Sequence, residues 1–318
     1  RAIIMASLRK CNWAGQVVTL DHFIHNTTIA LESAIELDTD VSNEGMSDAL
    51  KGFAEKTIAL LKRFLENIKQ TIKALFAKLG VGVKIKDLMD LLGDIRKSRE
   101  INFSFLELKK LTKLGWNVEV TTTDGKKAEY TAKDLRNGYD AYATATLRMI
   151  DFLRHSRNIE LMTDKGVAQM MASVMDDTHM LFGAKPTRFV YHNNEFSIIH
   201  DEIAERKTLM PFAYQAHIAE DDINYLIEIM KRYEITGPSS KFIERNIDLS
   251  LKCLSDIEDW IGESFLNRDY LRNMQRLISD VFKVTISDVS VSLVRGIHGV
   301  YRVYSQAVRR LKYSDKTE

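Results

Sequence analysis

Cysteine, proline and glycine are scarce in this chain: 318 residues hold two Cys, three Pro and 15 Gly. The two thiols, Cys11 and Cys253, are too few and too far apart for a disulfide framework or a zinc site. The composition reads as that of a protein made in a reducing cytoplasm. So little proline and glycine argues against a loop-rich or all-β chain. No apolar run approaches the roughly 20 residues that a membrane-spanning helix requires. The opening stretch, Arg1 to Ser7, lacks the apolar core of a signal peptide. A start at Arg1 is expected to reflect either cleavage of a precursor or residues upstream of a start at Met5. Charge of one sign is not in excess either: 45 Lys and Arg face 44 Asp and Glu, a net charge of +1. No global field then draws the chain to nucleic acid or membrane, so such binding has to come from local patches. Phosphate-cradling GxxxxGK[ST] and GxGxxG loops, GxSxG, HExxH and CxxC are all missing, as is any 20–50-residue repeat.

What remains is a composition 45% hydrophobic and 28% charged, that of a soluble globular protein of one large or two ordinary domains. The strongest pattern lies in Asp48–Leu79. Ala54, Ile58, Leu61, Leu65, Ile68, Ile72, Leu75 and Leu79 recur at alternating steps of four and three, the seam of a long amphipathic helix. Ser47 is placed to cap its start and Gly80 to end it. From Lys51 to Leu79, seven Lys or Arg face only Glu55 and Glu66. Phe53, Leu60, Phe64 and Phe76 widen the apolar surface beyond the seam. A basic amphipathic helix of this kind packs in a bundle, lies on an anionic membrane or sits against nucleic acid, and periodicity does not choose between these.

The rest reads as helices interrupted twice. Residues 1–14 form an arm, Val17–Leu37 suggests a weak helix, and Asp38–Ser47 is an acidic linker. Helices are expected over Lys84–Ser98, Phe103–Leu114, from Thr131 to about Leu153, from Asp164 to Phe182, and over Asp221–Tyr233, Ser240–Phe265, Asp269–Phe282 and Ser290–Lys312. Thr131 with Asp134 makes a capping box, ahead of a stripe of Leu135, Tyr139, Tyr142, Thr146, Met149 and Leu153. Asp124-Gly125 suits a tight turn in a hairpin over Asn117–Thr131, and Asn193-Asn194 a second over Thr187–Ile199. Gly237-Pro238 is expected to stop the helix before it. The expected fold is therefore mainly α, a helical bundle with two small β-hairpins. Its expected organisation is an arm and linker (1–47), a helical region with the first hairpin (48–182), and the second hairpin with the C-terminal helices (187–318).

Candidate chemistry is sparse. Asp176, Asp177, His179, His192, His200, Asp201 and Glu202 are close enough in sequence to supply metal ligands if folded together. Such residues near turns are most often ordinary surface groups. Cys253, beside Leu251 and Leu254, reads as a small buried hydrophobe rather than a nucleophile. No catalytic, cofactor-binding or metal-binding residue is assigned, and no enzymatic activity is expected. Two interaction surfaces are assigned instead. One is the helix seam Ile58, Leu61, Leu65, Ile68, Ile72, Leu75 and Leu79, expected to be buried in protein in the resting state. The other is a stripe on the last helix, where Arg295, Arg302 and Arg309 are spaced by seven and joined by Arg310 and Lys312 with no acid among them. With Tyr301, Tyr304 and Tyr313 interleaved, it suits contact with phosphate or with an acidic protein surface.

The order of an ALESAIE segment (Ala30–Glu36), an acidic linker and the Lys/Phe helix IALLKRFLENIKQTIKALFAKL (Ile58–Leu79) resembles the internal head, or inner-body, and virion structural proteins of giant tailed bacteriophages. The likeness covers Asn26–Leu79, and its motifs are compositional. It implies a non-enzymatic protein made in the host cytoplasm and packaged in the capsid interior, with other virion proteins and packaged DNA as partners. Ejection with the DNA and transient membrane contact would follow from the same resemblance. Proteins of that family are often trimmed after Ser/Ala/Gly-x-Glu, which Ala30-Leu31-Glu32, Ala34-Ile35-Glu36 and Ser42-Asn43-Glu44 match and Lys316-Thr317-Glu318 does not. A DNA- or membrane-binding module acting through its basic helices is the second reading, and a metal-dependent hydrolase built on Asp176–Glu202 a distant third.

Overall fold

The alternating apolar steps of the basic segment produce one continuous helix, α1, over Met46–Leu79. The computed structural model describes residues 46–79, 82–155, 177–192, 195–237, 239–260, 278, 281 and 288–314. The N-terminal arm, the weak helix at Val17–Leu37 and the acidic linker as far as residue 45 lie outside these, as do Gly80 and most of Asp269–Phe282. Helix α1 is already under way at Met46, so Ser47 sits inside it rather than capping it. Ala54, Ile58, Leu61, Leu65, Ile68 and Ile72 are buried, Leu75 is half-buried, and the Leu79 side chain lies outside the described residues. Thr57, Phe64 and Phe76 widen the buried face. The seam packs within the chain, against α6 (Lys241–Trp260) and α7 (Val289–Ser314). Each buried Ile, Leu or Phe of this face would forfeit about 1.5–3 kcal/mol if left in water. Amide hydrogen exchange across Ile58–Ile72 is accordingly expected to be among the slowest in the protein. Exchange there as fast as in exposed loops would contradict this packing.

Four further helices complete the described set of seven: α2 (Ile85–Ile95), α3 (Phe105–Lys113), α4 (Ala132–Arg154) and α5 (Ala216–Arg232). Local capping sets their starts. Ser104 accepts the Glu107 amide (3.3 Å) while the Ser104 amide donates to Glu107 Oε2 (2.8 Å). Thr131 and Asp134 make the same reciprocal pair ahead of α4. All six stripe residues of α4, from Leu135 to Leu153, are buried. Ahead of α6, the Ser240 hydroxyl accepts the Ile243 amide and donates to the Tyr233 carbonyl (2.6 Å). Helix α5 ends where expected, with Tyr233 as its C-cap, but its start and the residue that turns the chain differ. It begins at Ala216 rather than Asp221, and the chain turns out of it through Glu234, which holds a positive φ of 49°, before Gly237 is reached.

Eight short strands, all paired antiparallel, are described: β1 (Glu100–Asn102), β2 (Val118–Thr122), β3 (Lys127–Tyr130), β4 (Thr178–His179), β5 (Thr187–His192), β6 (Glu195–His200), β7 (Ile203–Thr208) and β8 (Ala213–Gln215). The turn at Asp124-Gly125 joins β2 to β3, with Gly125 at φ +83° and its amide on the Thr122 carbonyl. Strands β5 and β6 pair from Thr187↔His200 to His192↔Glu195. Neither pair is an isolated hairpin, which corrects the expected picture. Strand β7 adds to β2, giving the order β3-β2-β7, β4 adds to β5, and β1 pairs with β8. The mainly α fold thus carries three small sheets. The helix expected to run from Asp164 to Phe182 is also corrected at its end, because Thr178 and His179 are strand and Met180 to Phe182 are irregular. Its earlier part lies outside the described residues.

A single hydrophobic cluster runs from Ala54 through Tyr139 and Ile223 to Val308. All three sheets and this cluster draw on residues from both sides of residue 182.

Candidate interaction surfaces

Helix α7 buries Val289, Leu293, Ile297, Val300, Tyr304 and Ala307. That face fixes where its arginines fall. Arg295 is half-buried, and burial pushes its guanidinium pKa down. Arg310 is not free to meet a partner, because its two terminal nitrogens each reach a Glu107 carboxylate oxygen at 2.6 Å and one also donates to the Asn102 carbonyl at 2.8 Å. This bidentate pair locks α7 onto the start of α3. Burial works to raise the Glu107 carboxyl, but the hydrogen bonds from Arg310 and Ser104 outweigh it and hold that pKa below the usual range. Of the sequence-assigned stripe, Arg302 and Arg309 remain exposed, with no ion pair among the described residues. Seven residues apart, they stand about 10.5 Å from each other along the axis. The Lys312 side chain lies outside the described residues. Tyr301 is half-buried and Tyr304 fully buried, so Tyr304 does not share an outer face with the arginines, and the Tyr313 side chain lies outside the described residues.

The basic charge of α1 is partly spent inside the fold. Lys62 pairs with Glu258 and Lys69 with Asp248, both acids on α6. The seam from Ile58 to Ile72 is buried in the chain and so is not presented to a membrane in this state.

The residues proposed as metal ligands are engaged separately. His200 Nδ1 lies 2.9 Å from the Thr187 hydroxyl, Asp201 faces Arg188 at 3.5 Å, and Glu202 pairs with Lys185. The His179 ring sits 6.2 Å from that of Phe189. Among the described residues no three His, Cys, Asp or Glu side chains converge on a metal position. Asp176 and the His192 side chain are outside the described residues. Cys253 is buried, and burial pushes its thiol pKa up.

Two features escaped the sequence reading. The first is a buried polar hub. Asp222 on α5 accepts three hydrogen bonds at one oxygen, from Asn117 Nδ2 (2.7 Å), Tyr214 OH (2.8 Å) and Tyr304 OH (2.8 Å). Trp116 Nε1 donates to Tyr304 (3.2 Å), and Asn117 Oδ1 accepts the first amide of α4, that of Ala132 (2.8 Å). Asn117 holds a positive φ of 51°, which Asn tolerates better than most residues. Burial pushes the Asp222 carboxyl up to about 6, against the pull of its three donors. The hub ties together α4, α5, α7, β8 and the segment Trp116-Asn117 that leads into β2.

The second is a groove of about 600 Å³ between α3 and the segment from β7 to β8. Phe105, Leu108, Met210 and Phe212 form its apolar lining. Lys109, Lys113 and Arg206 bring three cations, and no acid lines it. Phe105 is 68% exposed and Phe212 59%. Arg206 caps the end of α3 by donating to the Lys113 carbonyl (3.2 Å) and also donates to the Ala184 carbonyl. Its ε nitrogen is buried without a hydrogen-bond partner. Sequence alone held one signal for this site, the aromatic pair Phe105 and Phe212 flanking polar elements, but nothing in the spacing shows that they meet.

Comparison with protein-family models, with curated proteins and with solved structures finds no match to this chain.

Proposed function

We propose that this chain is a non-enzymatic structural protein of a giant tailed-phage virion, held inside the head against packaged DNA and neighbouring virion proteins. The reading is supported by the resemblance over Asn26–Leu79 and is carried by one observation, the pair of exposed cations Arg302 and Arg309 on a helix whose inner face is locked into the core. Two guanidinium groups on a rigid helix suit phosphate contact without base reading, as expected of a protein that meets DNA of any sequence. A membrane role would require α1 to leave the core, and nothing in its packing favours that. A hydrolase would have to break the separate bonds of His200, Asp201 and Glu202 to assemble its metal site.

The test is the Arg302→Ala/Arg309→Ala variant, which touches no buried group. Its affinity for duplex DNA is to be measured at about 50 mM and about 200 mM salt beside that of the parent, together with its incorporation into particles. The expected result is weaker binding and a salt slope shallower by about two, one per lost phosphate contact. An unchanged slope with lost incorporation would point to a protein partner. If neither property moved, the proposed contact would be wrong.

A further inference from the structure

We propose that the groove between α3 and the β7–β8 segment is a docking site for an acidic peptide segment of a partner protein, which seats a large apolar side chain against Leu108, Met210 and Phe212 and sets its carboxylates against Lys109, Lys113 and Arg206. The inference does not depend on the virion assignment and concerns a different face from Arg302 and Arg309.

Charge placement carries the argument. The chain as a whole is neutral to within one charge, yet this groove gathers three cations and no acid. The one carboxylate of α3, Glu107, is turned away and consumed by Arg310. On β7, side chains alternate between the two faces of the sheet, so Arg206 and Thr208 share the groove side and Glu205 and Lys207 lie opposite. There Glu205 and Lys207 pair with each other at 3.3 Å and leave the groove charge uncompensated. Arg206 is held by carbonyls only, and burial lowers its pKa with no carboxylate to offset the cost. A carboxylate arriving from outside would instead meet the exposed ammonium groups of Lys109 and Lys113, with the Arg206 charge beside them.

The apolar lining decides among anionic occupants. Leu108 and Met210 are themselves buried, so the floor is a well of aliphatic side chains rather than a flat platform. The hydroxyls beside it are engaged locally: Thr112 donates to the Leu108 carbonyl, and Thr208 accepts the Met210 amide. A nucleobase stacked here would find no side-chain carboxylate or amide to accept from its edge N–H groups, at a cost of about 1–3 kcal/mol for each one buried. A leucine or phenylalanine side chain has no such groups. Phe105 and Phe212 stand exposed on the rim, as anchors do before a partner covers them.

The experiment pans a displayed library of random peptides on the full-length protein and then titrates the synthesised consensus peptide by fluorescence anisotropy. Enrichment of Asp and Glu around a Leu, Ile or Phe is expected. Lys109→Glu/Lys113→Glu and Phe105→Ala/Phe212→Ala are each expected to weaken binding by about tenfold or more, with the thermal midpoint unchanged because all four side chains project from the surface. If charge reversal unsettles the fold, Lys109→Gln/Lys113→Gln serves instead, with a smaller loss of the same sign. Arg302→Ala/Arg309→Ala should bind the peptide as the parent does, which separates this site from the DNA contact. Peptides without acidic enrichment, or a consensus peptide indifferent to both groove variants, would overturn the proposal. Oligothymidine or phosphatidylserine vesicles that bind the groove more tightly than the peptide would overturn it too, and would reassign the site.

Discussion

Replacing Asp222 by Ala is expected to cost the folded chain about 3 kcal/mol, one of the largest effects of any single substitution outside the apolar core. The substitution removes the one acceptor shared by Asn117, Tyr214 and Tyr304, all buried. Each donor left unmet costs about 1–3 kcal/mol, partly recovered if water enters the space the carboxylate vacates. Removing a strained charge recovers a further part. At roughly 2–4 °C per kcal/mol for a domain of this class, the thermal midpoint should fall by roughly 6–12 °C. A midpoint within about 2 °C of the parent would show that the hub contributes little. Asp222→Asn keeps an acceptor in place and should cost far less at neutral pH.

The same pair of variants gives a pH signature. An unfolded aspartate titrates near 3.9, whereas the folded Asp222 carboxyl, desolvated by burial, titrates at about 6. Between those values the native state binds more protons than the unfolded state, so this group's contribution to stability falls as pH rises from about 4 to about 6. It is fully present below that window and absent above it. A displacement of about two pKa units corresponds to about 3 kcal/mol. Of the groups around it, neighbouring Asp221 pushes the same way, while Tyr214 and Tyr304 have pKa values raised by burial and by Asp222 itself and stay protonated donors throughout. Chemical denaturation across this range should show Asp222→Asn gaining on the parent as pH rises and running parallel to it above about pH 7. Parallel curves from pH 4 upward would mean that Asp222 titrates as if exposed.

Much of the fold was legible because local physics and packing agree there. The alternating apolar steps of α1 describe the face it buries, and Thr131 with Asp134 starts α4 through bonds that involve only four residues. Asp124-Gly125 marks its turn for the same reason. Strand β7 was not legible. Its sequence, IAERKT, has neither alternation nor a buried face, and it becomes a strand because β2 offers an edge. Asp222 was hidden by a wrong helix start. Read from Asp221, it is one of two first-turn acids; read from Ala216, it stands with Ala219, Ile223 and Leu226 at the spacing of the buried face. The arginine stripe was over-counted for a related reason. Sequence spacing gives Arg310 the same standing as Arg309, but Arg310 is turned toward Glu107, 203 positions away in the chain, and only the assembled fold brings the two together.

Glycines at helix interiors supply the second large effect, and its sign depends on what each one faces. Exchanging Gly for Ala inside a helix ordinarily gains about 0.5–1 kcal/mol. Gly93 in α2 has nothing within 4 Å of where a Cβ would stand, so Gly93→Ala should raise stability by that amount. Gly138 in α4 and Gly296 in α7 face the buried segment Met180–Phe182, which runs through a slot between those helices. A Cβ at Gly138 would lie 2.3 Å from the Met180 carbonyl oxygen, and one at Gly296 would lie 2.0 Å from two Phe182 ring carbons. Phe182 has little room to yield, being stacked on Trp116 at 5.6 Å with its amide on the Tyr139 hydroxyl. Overpacking costs about 1–3 kcal/mol even where side chains can adjust. Each substitution should therefore lose about 3 kcal/mol, well beyond the helix gain. The two obstacles differ in kind, and a double-mutant cycle exposes the difference. In a Phe182→Ala background the penalty of Gly296→Ala should largely vanish, because the ring that blocks it is gone. The penalty of Gly138→Ala should persist, because its obstacle is backbone. If Gly138→Ala and Gly93→Ala shifted the denaturation midpoint in the same direction, the Met180–Phe182 segment would not occupy this slot.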